Sequence, residues 1–214
     1  KIDYSIYLVT DDYYLNKEGV YGVIELALQN GVTLLQYRAK EYGSRKMLGE
    51  AKRLRELSRK YDVPLIVNDR LDIALAVDAD GLHLGQDDLP MDVARRYLGK
   101  KIIGVSATCY EEAQEAVLLG ADYVGIGPVF PTLTKKDAKP PCGLEDVQRM
   151  KKNFPDTPLI AIGGIDLNNI KEVVKTGIDG VAIISAIFGS SDTSGAVRQF
   201  VRLFAERNEM ETES

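Results

Sequence analysis

Eight short apolar segments, each followed by a stretch with helical spacing, restrict the folds open to this chain more than any other feature. The segments cover residues 6–10, 34–40, 65–68, 81–84, 102–106, 123–127, 159–163 and 181–185. They are apolar at both odd and even positions, as strands covered on both faces are. In the intervening stretches Met47, Leu48, Ala51, Leu54 and Leu57 recur at helical spacing, as do Val197, Phe200, Val201 and Phe204. Strands alternating with helices predict a parallel sheet with right-handed crossovers.

A repeated turn points to closure of that sheet. It recurs as Asn30-Gly31-Val32-Thr33, Val77-Asp78-Ala79-Asp80-Gly81, Gly120-Ala121-Asp122-Tyr123 and Gly177-Ile178-Asp179-Gly180. Glycine at such a place can take the left-handed conformation that ends a helix. Each turn begins every second strand, so four two-strand units make eight strands. The 214 residues form one large core and sit near the lower length of a (β/α)8 barrel, which needs roughly 200. The expected fold is therefore a single α/β domain over residues 1–214, a TIM (β/α)8 barrel. An open doubly wound sheet is the alternative, and no Gly-x-Gly-x-x-Gly follows the first segment to support it. The Pro- and Lys-rich stretch 130–143 reads as a flexible loop over the active site.

Composition removes several function classes. A net charge of −5 and a pI near 5.1 argue against a nucleic-acid surface, so an anionic ligand must be held by local cations. Cys109 and Cys142 are too few for a disulfide framework and fit a cytoplasmic protein. The longest apolar run, residues 180–189, is too short to span a bilayer. No signal peptide is visible, and the chain opens on Lys1 without Met, leaving room for leading residues. A homo-oligomer is compatible with the sequence and not decided by it.

Polar clusters sit where the apolar segments end. Side chains alternate along a strand, so Gln36, Arg38 and Lys40 share one face, opposite Tyr37 and Ala39. Polar groups on one face of an apolar strand are costly unless a ligand or partner satisfies them. Arg38 offers a planar fork for phosphate oxygens and Lys40 a point charge. Asn68-Asp69 ends the third segment and Asp87-Asp88 follows the fourth. These carboxylates read either as a general acid/base pair or as ligands for a hard cation; the nearby Arg38, Lys40 and Lys135 favour the cation. Asp87 and Asp72 also fit helix caps, and Arg70 fits a surface pair with Asp72. Ser106 ends the fifth segment. Thr132, Thr134 and Lys135 supply hydroxyls and a cation from the long loop. Gly163-Gly164 and Ile184-Ser185 follow the last two segments, where barrels often cradle phosphate with backbone N–H groups. His83, the only histidine, alternates with Leu82 and Leu84; a His triad or His-rich metal site is excluded by count.

These motifs resemble one family, thiamine-phosphate synthase. The resemblance runs from Tyr7-Leu8-Val9-Thr10-Asp11 to Ile183-Ile184-Ser185-Ala186. It is strongest at Val67-Asn68-Asp69-Arg70, at Asp80 through Gln86, at Gly125 through Thr132, and at Ala161-Ile162-Gly163-Gly164-Ile165. It implies a TIM-barrel transferase that joins hydroxymethylpyrimidine diphosphate to a thiazole phosphate, releasing pyrophosphate and giving thiamine phosphate. By the resemblance, Gln36, Arg38, Lys40, Asn68, Ser106 and Lys135 contact the pyrimidine diphosphate. Asp69 and Asp88 bind Mg²⁺. Thr132, Thr134, Gly164, Ile184 and Ser185 position the thiazole phosphate. Arg38, Lys40 and Lys135 are the catalytic cations. Tyr37 and Ala39 depart from a segment the family often writes Gln-Leu-Arg-Glu-Lys, on the face away from the ligand. Three other readings compete: a thiazole tautomerase-like isomerase on the same barrel, a non-catalytic thiazole phosphate binder, and a sugar-phosphate isomerase. The first has no diphosphate leaving group to neutralise with these cations and carboxylates.

Overall fold

A computed structural model describes residues 2–132 and 139–206. Among them the chain runs β1 (Ile6–Val9), α1 (Asp12–Leu15), α2 (Val20–Gln29), β2 (Leu34–Tyr37), α3 (Ser44–Lys60) and β3 (Leu65–Asn68). Next come α4 (Leu71–Ala76), β4 (Gly81–Leu84), α5 (Met91–Leu98), β5 (Ile102–Ala107), α6 (Tyr110–Leu118) and β6 (Tyr123–Ile126). The chain then passes through α7 (Gly143–Asn153), β7 (Leu159–Ile162), α8 (Ile170–Val174), β8 (Gly180–Ile183), α9 (Ser185–Phe188) and α10 (Thr193–Ala205). The strands form a closed parallel barrel in sequence order, sealed where Ile6, Tyr7 and Leu8 of β1 pair with Val181, Ala182 and Ile183 of β8. The expected (β/α)8 barrel is the observed one.

Strand alternation divides the core in two. Ile6, Leu8, Leu35, Tyr37, Val67, Leu82 and Val124 point outward and pack beneath the helices. Tyr7, Val9, Leu34, Ile66, Tyr123, Ile160 and Ala182 fill the barrel itself. Helix α10 supplies Val197, Phe200, Leu203 and Phe204 to the outer layer. Full burial of such side chains contributes about 1.5–3 kcal/mol each. Tyr123 fits inside because β5 carries glycine opposite it: a Cβ on Gly104 would overlap the Tyr123 ring.

The repeated turn has a structural purpose. In each repeat the residue before the even strand binds the start of the preceding odd strand. Ile6 N–H donates to Thr33 Oγ1 at 3.0 Å, Leu65 N–H to Asp80 Oδ2 at 2.7 Å, Ile103 N–H to Asp122 Oδ2 at 2.8 Å, and Leu159 N–H to Asp179 Oδ2 at 2.8 Å. The same residues return a backbone N–H to the carbonyls of Ile6, Leu65, Ile103 and Leu159. Three of the four take a cation from the helix before the odd strand: Arg55–Asp80 at 2.5 Å, Arg95–Asp122 at 2.6 Å and Lys151–Asp179 at 2.7 Å. Gly31, Gly120 and Gly177 have positive φ, as expected for helix ends, whereas in the second repeat Asp78 takes that conformation (φ 49°) in place of Gly81.

Two strand ends differ from the sequence expectation by more than one residue. Strand β2 stops at Tyr37 instead of reaching Lys40. The cause is a rival set of acceptors where β1 passes into α1, on Thr10 and Asp12. Arg38 N–H donates to Thr10 Oγ1 at 2.8 Å, Lys40 N–H to Asp12 Oδ2 at 2.9 Å, and Glu41 N–H to Asp12 Oδ1 at 3.1 Å. Strand β8 stops at Ile183, and Ser185 begins α9 because Ile184 leaves the extended region (φ −125°, ψ −85°). Residues 133–138, including Thr134 and Lys135, lie outside the described residues. Among the described residues no helix is long and apolar enough to cross a membrane.

Asp80→Ala is expected to lower stability by about 2–3 kcal/mol in urea unfolding, because it strands the Leu65 N–H and the Arg55 guanidinium together. Asp92→Ala, which breaks an exposed helical pair with Arg96, is expected to change it by less than about 0.5 kcal/mol. Equal midpoints for the two variants would contradict this account of the turn.

Candidate active site

The inward-facing ends of the strands enclose one mouth, with a cavity of about 450 Å³. Gln36, Arg38, Lys40, Asn68, Asp69, Asp88 and Ser106 line it from β2 to β5, and Thr132, Gly164, Ile184 and Ser185 from β6 to β8. Every sequence-derived candidate among the described residues is therefore brought to the same cavity. Tyr37 and Ala39 are buried on the outer face, as parity required.

The β1–α1 connection orders the cationic segment. Asp11 caps α1, accepting from Tyr13 N–H at 2.8 Å, and its other oxygen lies 3.8 Å from an Arg38 guanidinium nitrogen. Lys40 Nζ reaches Asp69 Oδ2 at 2.5 Å. Asp69 itself has a positive φ of 61° at the end of β3, and its N–H donates to the His83 carbonyl at 2.8 Å. That turn aims its carboxylate across β4 toward Asp88, whose Oδ2 accepts the Gly85 N–H at 2.7 Å.

Asp69 and Asp88 face each other closely enough to shift one another's pKa. Burial, with the hydrogen bond to Asp88 next, pushes Asp69 up to about 6, against the pull of Lys40. For Asp88 burial acts to raise the pKa, but the Asp69 hydrogen bond, the Gly85 N–H and the charge of Lys40 outweigh it and hold it low. Two carboxylates forced together in this way raise the pKa of one of them, and a divalent cation relieves the same repulsion. Among the described residues no group of three or more His, Cys, Asp or Glu converges on one point. A cation held here would therefore take these two carboxylates and complete its shell with water and ligand oxygens, the habit of Mg²⁺.

The far side is built from backbone. Gly163 and Gly164 have φ of 96° and 67°. A Cβ on Gly163 would lie 2.6 Å from Pro128 Cβ, and one on Gly164 2.7 Å from both Phe130 Cβ and the Pro131 carbonyl. The loop after β6 is thus pressed onto the end of β7, where Val129 and Phe130 N–H donate to the Ile162 and Gly163 carbonyls at 2.9 and 3.1 Å. Asn169 Nδ2 holds the Gly164 carbonyl at 2.8 Å. Ser185 opens α9 beside them, and the first N–H groups of a helix have no partner within it.

Several cavity residues escaped the sequence reading. Tyr7 and Tyr123 form its floor, and Lys139 reaches in from the long loop while pairing with Glu112 at 3.0 Å. An aromatic on a buried strand reads as core, and the parity it shares with Gln36 and Ser106 was the available signal. Lys139 offered none. Asp72 pairs with Arg70 at 2.6 Å on the surface, as expected. The N-cap of α5 is Pro90, so Asp87 does not cap that helix; it lines the cavity.

A family model described as thiamine monophosphate synthase matches residues 6–187. A thiamine-phosphate synthase from Syntrophomonas wolfei is 51% identical over 207 residues, covering 96% of this chain and 98% of its own. One from Chloroflexus aurantiacus is 46% identical over 208 residues, covering 97% and 96%. Among solved structures, thiamine phosphate pyrophosphorylase from Pyrococcus furiosus superposes with a TM-score of 0.87 at 40% identity, covering 96% of this chain and 98% of that one. With the family pattern running unbroken from β1 into α9, this chain belongs to the thiamine monophosphate synthase family.

Proposed function

We propose that this chain is a Mg²⁺-dependent transferase that joins hydroxymethylpyrimidine diphosphate to thiazole phosphate, giving thiamine phosphate and pyrophosphate. The observation that carries the reading is the meeting of two cations and two paired carboxylates at one rim of the cavity, opposite a glycine-lined backbone surface. The rim suits a diphosphate; the glycine surface suits a second, smaller phosphate.

On this reading Gln36, Asn68 and Ser106 hold the pyrimidine, while Arg38 and Lys40 take diphosphate oxygens. Asp69 and Asp88 hold the metal, which supplies positive charge to the leaving diphosphate. Lys40 then exchanges its Asp69 partner for phosphate. Thr132, Gly164, Ile184 and Ser185 hold the thiazole phosphate. Thr134 and Lys135 are assigned by family resemblance, to the thiazole phosphate and the diphosphate respectively.

The bond that breaks is the pyrimidine CH₂–O bond, and its electron pair leaves with the diphosphate. Arg38 and Lys40 stabilise charge where it develops. The aminopyrimidine ring delocalises the carbocation left behind, and the thiazole nitrogen attacks it. No protein nucleophile is required. This agrees with a site whose one histidine is hydrogen-bonded at both ring nitrogens, at 2.8 and 2.7 Å. The work belongs in the cytoplasm, where thiols such as Cys109 and Cys142 stay unpaired.

Asp88→Ala is expected to fold normally and lose turnover by roughly 100-fold or more, with a higher Mg²⁺ requirement measured by titrating the metal back after chelation. Near-normal activity of the folded variant would remove Asp88 from the metal role. An electron-withdrawing group on the pyrimidine is expected to slow a single turnover by about 100-fold or more, a barrier rise of about 2.7 kcal/mol. An unchanged single-turnover rate would exclude the dissociative path.

A further inference from the structure

Five polar side chains form one unbroken hydrogen-bonded line across the barrel interior. Gln36 Nε2 donates to the Tyr7 hydroxyl at 2.7 Å. The Tyr7 and Tyr123 hydroxyls lie 2.7 Å apart. The Tyr123 hydroxyl meets His83 Nδ1 at 2.8 Å, and His83 Nε2 meets Ser106 Oγ at 2.7 Å. The line passes from β2 through β1, β6 and β4 to β5, and both its ends line the cavity. Tyr7 and Tyr123 are 2% and 0% exposed, so their hydroxyls bond within the line rather than to bulk water.

Such a line has only two self-consistent polarities, because each hydroxyl carries one proton and neutral imidazole donates from one nitrogen. Burial raises the pKa of both tyrosines, which keeps those protons in place. With the Gln36 amide N–H on Tyr7, the Tyr7 O–H turns to Tyr123 and the Tyr123 O–H to His83 Nδ1. His83 then carries its proton on Nε2 and donates to Ser106. The reversed order would put the proton on Nδ1 and turn the Ser106 hydroxyl inward toward the histidine.

We propose that Tyr123 is a positioning residue that carries the polarity set at Gln36 across the barrel to Ser106, fixing His83 in its Nε2–H form. The two ends then present opposite faces to the cavity. The Gln36 carbonyl oxygen is an acceptor, and the Ser106 hydroxyl is a donor. This pattern fits a heteroaromatic ring that offers an amino N–H on one side and an unprotonated ring nitrogen on the other. It deepens the functional reading above and rests on the pyrimidine lying between Gln36 and Ser106. Specificity follows, because a ring with the reverse pattern would leave both ends unpaired.

Tyr123 owes its place to Gly104, whose Cβ would overlap its ring, and its ring stacks on His83 with centroids 5.5 Å apart. Gly125 leaves the side of His83 open: a Cβ there would sit 3.4 Å from His83 Cε1. The histidine is thus held from one side by Tyr123 and by its two hydrogen bonds.

The test uses the full chain labelled with ¹⁵N-histidine, which gives a single imidazole because the chain has one histidine. Long-range ¹H–¹⁵N spectra of the wild type are expected to show the proton on Nε2. Tyr123→Phe removes the donor to Nδ1. It is expected to give a mixture of tautomers and to raise KM for the pyrimidine diphosphate about tenfold, with KM for the thiazole phosphate unchanged. A proton on Nδ1 in the wild type would overturn the proposal, as would a Tyr123→Phe protein that keeps a single Nε2–H form. The wild-type spectrum decides the polarity even if the variant does not fold. Absence of thiamine phosphate formation by the wild type would instead sink the functional reading, and the tautomer would still be measured.

Discussion

Closure between β1 and β8 is the pairing on which the rest of the molecule depends. It joins Ile6, Tyr7 and Leu8 to Val181, Ala182 and Ile183 and leaves no free sheet edge. Because the sheet is closed, every second residue of every strand faces a common axis, and the strand ends share one rim. Gln36, Asn68, Ser106 and Ile184 come from the ends of β2, β3, β5 and β8, well separated in sequence, yet border one cavity. An open sheet of the same strands would spread them along an edge. The Thr33, Asp80, Asp122 and Asp179 clamps hold the opposite rim, so the end that fixes the fold is separate from the end that holds the cavity-lining polar side chains.

Charge at the working rim is arranged locally against a chain of net charge −5. Arg38 and Lys40 are each set near a carboxylate, Asp11 and Asp69. Asp69 is in turn forced against Asp88, and burial together with that contact pushes its pKa up to about 6. None of these groups is at rest in the sense of a satisfied surface ion pair. On the proposed reading, each has a partner that a diphosphate or a divalent cation would replace, which is how a site would favour charge that develops only as a bond breaks.

Much of this was readable from residues alone, for reasons that can be named. The eight apolar segments and the fourfold turn fixed the barrel, since period and spacing are local properties. Parity placed Gln36, Arg38 and Lys40 together and sent Tyr37 and Ala39 outward. What was not readable depended on partners remote in sequence. Strand β2 ends early because Thr10 and Asp12, 28 residues away, take its backbone N–H groups. The Asp of the repeated turn was visible as a repeat, but its hydrogen bond to the preceding odd strand was not. The Tyr7–Tyr123 contact spans 116 residues and joins two side chains that each read as ordinary core. The thiazole-side assignments to Thr132, Gly164 and Ser185 came from family resemblance, because a glycine pair and a loop hydroxyl have no chemistry that names their ligand.

The central claim is that the charges gathered at one rim serve departure of a diphosphate. Phosphorus NMR of the wild-type protein mixed with both substrates and Mg²⁺ tests it most directly, by following each phosphorus through the reaction. The account predicts one pyrophosphate released for each thiamine phosphate formed, and neither without the metal. Thiamine phosphate formed at full rate in the presence of chelator, or diphosphate consumed without coupling to the thiazole, would contradict it.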